Sequence, residues 1–281
     1  MKLQWIGWTA ALAIGAAGFA AGQNGGSGKA GPQLTAVAHV AVRTTSIDAE
    51  VAFFGKMGFE KAWAIENNGK VAFYFVKIND EEFIEVHPKV ASDGTVHPLG
   101  FDHICFVTND AKTLHDLWAA AGLKPTDAAK GPDGTLEFGA KDPEGRVTEA
   151  LEFLPESQPA QDKGKHLGAA RVSRVLMGVE MPAADLAASK KFFEAVGFAA
   201  AGQGSAVRLS APGHSDVRVA LRPAAEGVKA QLLFAVDDAG KAAEKLTAAG
   251  LKVERSSERA IVRDPDGTAF VFEEMGGHRA K

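Results

Sequence analysis

Apolar positions along this chain follow two periods, and the pair of periods recurs four times. Segments 46–59 (SIDAEVAFFGKMGF), 110–123 (DAKTLHDLWAAAGL), 184–198 (ADLAASKKFFEAVGF) and 237–251 (DDAGKAAEKLTAAGL) carry apolar residues at helical spacing, as at Ile47, Val51 and Phe54. Each closes on a glycine followed by an apolar residue. Gly58, Gly122, Gly197 and Gly250 thus fall where a left-handed C-cap is expected. Around these helices lie short runs such as AHVAVR, FIEVH, DHICFV and RVTEALEF, whose alternation predicts half-buried strands.

The second and fourth units align without a gap, DHICFVTNDAKTLHDLWAAAGLK against AQLLFAVDDAGKAAEKLTAAGLK. The first and third share FFGKMGF and FFEAVGF. The expectation is an α+β chain of four βαβββ modules in tandem. Modules 1 and 2 occupy 34–156, modules 3 and 4 occupy 170–277, and a polar, proline-containing linker covers 157–169.

The first 33 residues read differently. Lys2, an apolar stretch to Phe19 and small residues around 20–22 have the layout of a cleaved secretory signal over 1–22. The apolar run is shorter than the roughly 20 residues of a spanning helix. QNGGSGKAGPQ (23–33) reads as a flexible linker. The expected location is therefore periplasmic or secreted, with no membrane attachment after cleavage. A net charge of −4 gives no reason to expect a nucleic-acid partner. The single cysteine, Cys105, excludes an internal disulfide and a cysteine-based metal cluster.

Strand parity singles out four residues. His39, Glu85, His103 and Glu149 each stand in the middle of a predicted strand, and Glu85 follows His39 at the same spacing at which Glu149 follows His103. A carboxylate facing a cavity from mid-strand needs a partner or an ion. Two imidazoles and two carboxylates form the mixed N/O donor set that a divalent first-row metal accepts. Taken singly, each of these residues reads as an ordinary strand residue; the repetition of one pair in two modules is what points to a metal.

The modular order, together with AHVAV, FIEVH, FDHICFV and DPEGRVTEAL, resembles the vicinal oxygen chelate superfamily. Its members include glyoxalase I, methylmalonyl-CoA epimerase, extradiol dioxygenases, and the fosfomycin and bleomycin resistance proteins. The resemblance implies two glyoxalase-like domains with cupped mixed sheets. It also implies a metal in one cup, with His39, Glu85, His103 and Glu149 as ligands and Glu149 and Glu85 as the proton-moving groups. Nickel, cobalt, zinc or manganese is the implied ion.

The second half lacks the set: Gln231 stands where His103 does, Ala220 where Glu85 does and Val271 where Glu149 does, while Arg174 or Gly178 takes the His39 slot. Glu273 shares a strand face with Val271 but has no partners to complete a site. All four donors meet only if the first module pairs with the second.

The expected activity is that of a metal-dependent lyase, isomerase or epimerase on a small substrate chelated through vicinal oxygens. Arg43 and His87 are candidate substrate contacts, each with a plainer reading as a rim charge or an exposed strand end. Cys105 is a candidate lining residue of the cup. Glutathione is not indicated, because Lys89 stands where bacterial glyoxalases carry asparagine. One alternative is an extradiol-type dioxygenase with iron on His39, His103 and Glu149, leaving Glu85 surplus. That class also carries a tyrosine ahead of the carboxylate, and Tyr74 is the only tyrosine here. The other alternative is a non-catalytic ligand-binding protein of the bleomycin-resistance kind. Monomer and homodimer are both compatible with the sequence.

Overall fold

A computed structural model describes residues 32–200 and 207–275. The signal-like segment and most of the linker that follows it lie outside the described residues. The first half runs β1 (Leu34–Thr44), α1 (Ile47–Lys56), β2 (Glu60–Asn67), β3 (Lys70–Lys77), β4 (Phe83–Pro88), β5 (Gly100–Thr108), α2 (Ala111–Ala120), β6 (Ala129–Lys130), β7 (Leu136–Lys141) and β8 (Val147–Glu152). After the short α3 (Gln158–Gln161), the order repeats. It continues as β9 (Val175–Ala183), α4 (Leu186–Val196), β10 (Ala199–Ala200), β11 (Val207–Ala211), β12 (His214–Pro223), β13 (Gln231–Val236), α5 (Ala239–Ala248), β14 (Glu254–Arg255), β15 (Arg259–Arg263) and β16 (Ala269–Glu274).

Each half forms one eight-stranded, cupped mixed sheet. The orders are β2-β3-β4-β1-β5-β8-β7-β6 and β10-β11-β12-β9-β13-β16-β15-β14. Modules therefore pair first with second and third with fourth. In the first sheet β1 runs parallel to β4 and antiparallel to β5, and β5 runs parallel to β8. The four strands predicted to carry the His/Glu set are thus the central four of their sheet.

All four long helices start the same way. Ser46, Asp110, Asp185 and Asp238 each accept a hydrogen bond from the backbone N–H three residues on. Such a cap contributes about 1 kcal/mol. The helices bury their apolar faces in a core that draws on both halves. Phe54 of α1 meets Phe270 of β16 at 5.3 Å, Phe106 of β5 meets Phe198 at 4.9 Å, and the Trp118 indole donates to the Val196 carbonyl at 2.9 Å.

The two repeated turns fasten the halves together. In DPDG, Asp266 accepts from the Thr45 N–H and from the Thr44 and Thr45 hydroxyls at the end of β1. In DPEG, Glu144 accepts from the Ala184 N–H at the end of β9. The segment after β8 is bound down as well. Lys77, fully buried, places Nζ 3.0 Å from Asp162 Oδ2, 2.6 Å from the Asp162 carbonyl and 2.9 Å from Asp80.

Candidate functional site

The ladder registers carry the predicted residues to one place. Ala41 of β1 pairs with Glu85 of β4 and with His103 of β5, while Cys105 pairs with both His39 and Glu149. Four side chains from four adjacent strands therefore rise from one concave face. His39 Nε2 lies 3.2 Å from His103 Nε2, 3.5 Å from Glu85 Oε1 and 3.5 Å from Glu149 Oε2. His103 Nε2 is 3.5 Å from Glu85 Oε2 and 3.5 Å from Glu149 Oε2. Gly139 of β7 faces Glu149 across the ladder, and a Cβ there would press on Glu149 Cγ at 3.0 Å. The missing side chain leaves that carboxylate its room.

The electrostatics follow from the crowding. Burial opposes charge on all four groups. Even so, the surrounding imidazoles hold Glu85 well below the usual carboxylate range, and Glu149 is lowered too. Against the same burial, Glu85 and Glu149 raise His39, and Glu149 with Asp102 raises His103 further. Two carboxylates thus concentrate negative charge around two imidazole nitrogens.

A second ring of residues fixes the first. Asp102 Oδ2 lies 3.2 Å from His103 Nδ1, which turns Nε2 toward the cup. Arg43 donates to the same Asp102 oxygen at 3.0 Å and lies 3.4 Å from the Pro88 carbonyl, so its guanidinium orients this ring. His87 is not the exposed strand end its position suggested. It stacks on Phe73 at 4.2 Å, and its Nε2 lies 2.8 Å from Glu85 Oε2. Cys105 lines the floor of the cup, its sulfur within 4.8 Å of the His39 and Glu149 ligand atoms and packed with Ala36, Ala38, Val107 and Leu151, and burial followed by Glu149 pushes its thiol up.

The space above the four donors is a cavity of about 180 Å³ walled by Phe73 and Phe75. It shares Glu137 and Glu149 with a larger neighbouring cavity of about 660 Å³ that reaches Leu123, Lys124 and Lys141. Glu149 exposes 25 % of its side chain and Glu85 8 %, so Glu149 is the carboxylate open to incoming molecules. Glu137 was missed in the sequence. It lies on β7, two residues before Gly139, and burial followed by the nearby Glu149 pushes its carboxyl up to about 7. The parity of LEFGAK was the available signal, since it puts Glu137 on the face of Gly139.

In the second sheet the register settles the empty slot. Gly178 pairs with Leu233 as His39 pairs with Cys105, so Gly178 holds the His39 position. Its φ is 137°, and a Cβ there would overlap the carbonyl oxygen of Arg218. Glu273 does have partners, but they are Arg218 at 3.1 Å and Arg259 at 2.5 Å.

Tandem βαβββ modules, two cupped sheets and a mixed N/O donor set in one cup define a class of small-molecule-binding α+β proteins. The chain belongs to the Glyoxalase/Bleomycin resistance protein/Dioxygenase superfamily, whose model matches residues 36–150 and 175–272. Among solved structures, it is similar to the 2,3-dioxygenase LapB from Pseudomonas sp. KL28, at 14 % identity and a TM-score of 0.66 over 88 % of this chain and 94 % of that one. It is similar to a catechol 2,3-dioxygenase at 15 % identity and a TM-score of 0.65, over 86 % and 88 %. The Mn(II)-bound glyoxalase from Novosphingobium aromaticivorans gives 16 % identity and 0.63, over 89 % and 87 %. No curated protein matches the chain. At these identities the likeness carries the fold alone.

Proposed function

We propose that the chain is an exported metal-dependent enzyme of the glyoxalase type, moving a proton on a small substrate that presents two vicinal oxygens. The observation that carries this reading is the spacing of the four donors. Nitrogen and oxygen atoms 3.2–3.5 Å apart stand as do the corners around one ion with bonds of about 2.1 Å. The donors are also the right kind, two imidazoles that give up a proton on binding and two carboxylates, and nickel, cobalt, zinc or manganese suits them. When bound, such an ion supplies Lewis-acid polarisation of the substrate oxygens.

The remaining work falls to the chain's own residues. His39, Glu85, His103 and Glu149 hold the ion, while Asp102 and His87 orient His103 and Glu85. Glu149, more open to the cavities than Glu85, takes the proton from the substrate carbon and returns it at the neighbouring atom. Glu137 stands beside it as a second carboxyl that can exchange a proton near neutrality. Phe73 and Phe75 keep one wall of the cup dry. Export rests on the amino-terminal pattern of Lys2, apolar run and small residues. Among the described residues no helix is long and apolar enough to cross a membrane.

The dioxygenase reading is less well supported. Tyr74 packs toward the core beneath Lys61, whose Nζ lies 4.4 Å from the ring, and so is not in the cup. Glu85 also fills a fourth corner that an iron site of two histidines and one carboxylate does not use. The test is deuterium exchange from D₂O into α-hydroxy ketones and malonyl-type thioesters, followed by NMR with the metal-loaded protein. Exchange that disappears in Glu149→Gln supports the proposal. Oxygen uptake with catechol and no exchange overturns it in favour of a dioxygenase, and neither activity leaves a binding protein.

A further inference from the structure

The concave face of the second sheet has the opposite charge. Where the first cup carries Glu85, His103 and Glu149, the second carries Ala220, Gln231 and Val271. Around them stand four arginines, Arg208, Arg218, Arg222 and Arg259, against two carboxylates, Glu180 and Glu273. Guanidinium groups stay charged at any working pH, so the face keeps an excess of two positive charges. The carboxylates are already committed. Glu273 is shared by Arg218 and Arg259, and Glu180 is paired with Arg222. Arg218 Nε is buried without a partner. Arg208 is exposed and has no carboxylate partner among the described residues. Asp216, farther along β12, lines a different cavity with Arg174.

These residues surround a definite space. Arg208, Arg218 and Arg259, with Glu180 and Glu273, line a pocket of about 10 Å³ floored by Ala220 and Leu233, so three guanidinium groups there face two carboxylates. That is room for one water-sized atom. The small Ala220, standing where the first cup has a glutamate, is what leaves the space.

We propose that the second cup is a binding site for a small oxyanion group, a carboxylate or phosphoryl head, whose leading oxygen enters beside the unpartnered Arg218 Nε and over which Arg208 closes. The planar, forked donors of arginine suit both heads and form charge-assisted hydrogen bonds with either. The site is independent of the metal and of the reaction proposed for the first cup.

The test uses the full chain, melted and titrated calorimetrically with inorganic phosphate, acetate and chloride at equal ionic strength. Saturable stabilisation by phosphate beyond that of chloride is expected, weakened about tenfold in Arg208→Gln. Arg208 is exposed, so this variant leaves folding intact. An equal effect of acetate assigns a carboxylate head, and an effect of phosphate alone assigns a phosphoryl head. If neither phosphate nor acetate does more than chloride, or the effective anion binds Arg208→Gln and Arg259→Gln as well as the parent, the proposal is overturned. Binding that survives both substitutions would belong to the first cup.

Discussion

Glu149 and Val271 occupy the same register position, opposite Cys105 in one sheet and Leu233 in the other. Around Glu149 the first cup gathers imidazoles and a second carboxylate. Around Val271 the second gathers methionine, leucine and, farther out, arginines bonded to glutamates. One backbone thus supports a cup lined by carboxylates and imidazoles and another lined by arginines. The difference extends into the backbone, because Gly178 has a φ of 137° and no room for a side chain where β1 carries His39. Restoring histidine there would require moving the strand as well as changing the residue. The supporting residues diverged along with the ligands: Asp102, which orients His103, is replaced by Ala230.

The largest effect is expected at the strap over the first sheet, where Lys77 is buried against Asp162 and Asp80, while Ser210 takes the corresponding place on β11. Asp162→Ala should cost about 3 kcal/mol in a denaturant melt, because it strips the buried carboxylate partner from a buried ammonium. A smaller effect is expected from Asp102→Asn, which loosens His103 without removing a donor. Metal affinity should fall roughly 10- to 100-fold by competitive chelator titration, with the melting point nearly unchanged.

The smallest effect concerns Glu50, whose counterpart on α4 is Ser189. Glu50 is fully buried with both carboxylate oxygens unpartnered, and burial, then Asp264 and Asp266, push its carboxyl up to about 9 from an ordinary 4.5. The folded chain holds a proton there that the unfolded chain releases. Stability therefore falls as pH rises from 4.5 to about 9 and is level above that. Glu50→Gln should flatten this slope in melts across that range and gain about 1 kcal/mol near pH 8, a gain held down by the buried amide.

Much of this was legible in the sequence, for physical reasons. Helical periodicity and capping glycines gave the four modules because each helix buries one apolar face. The period of two singled out the four residues that converge in the first cup, because side chains alternate along a strand. Other features required the register between strands. The His39 slot lies across a shift in the β9–β13 pairing, so counting along SRVLMGVE left Arg174 and Gly178 both open. His87, read as a strand end beside Pro88, packs on Phe73, which lies on another strand. Glu137 gains its importance from a cavity that no single segment encloses. The arginine partners of Glu273 come from β12 and β15, distant in sequence from β16.

The central claim is that the first cup holds a divalent metal and the second does not. Elemental mass spectrometry of the full chain, beside a Glu149→Val variant that copies the second half, tests it most directly. About one divalent ion per chain is expected, lost or sharply reduced in the variant. A parent chain that binds no metal after reloading, or a Glu149→Val chain that keeps a full equivalent, would contradict it.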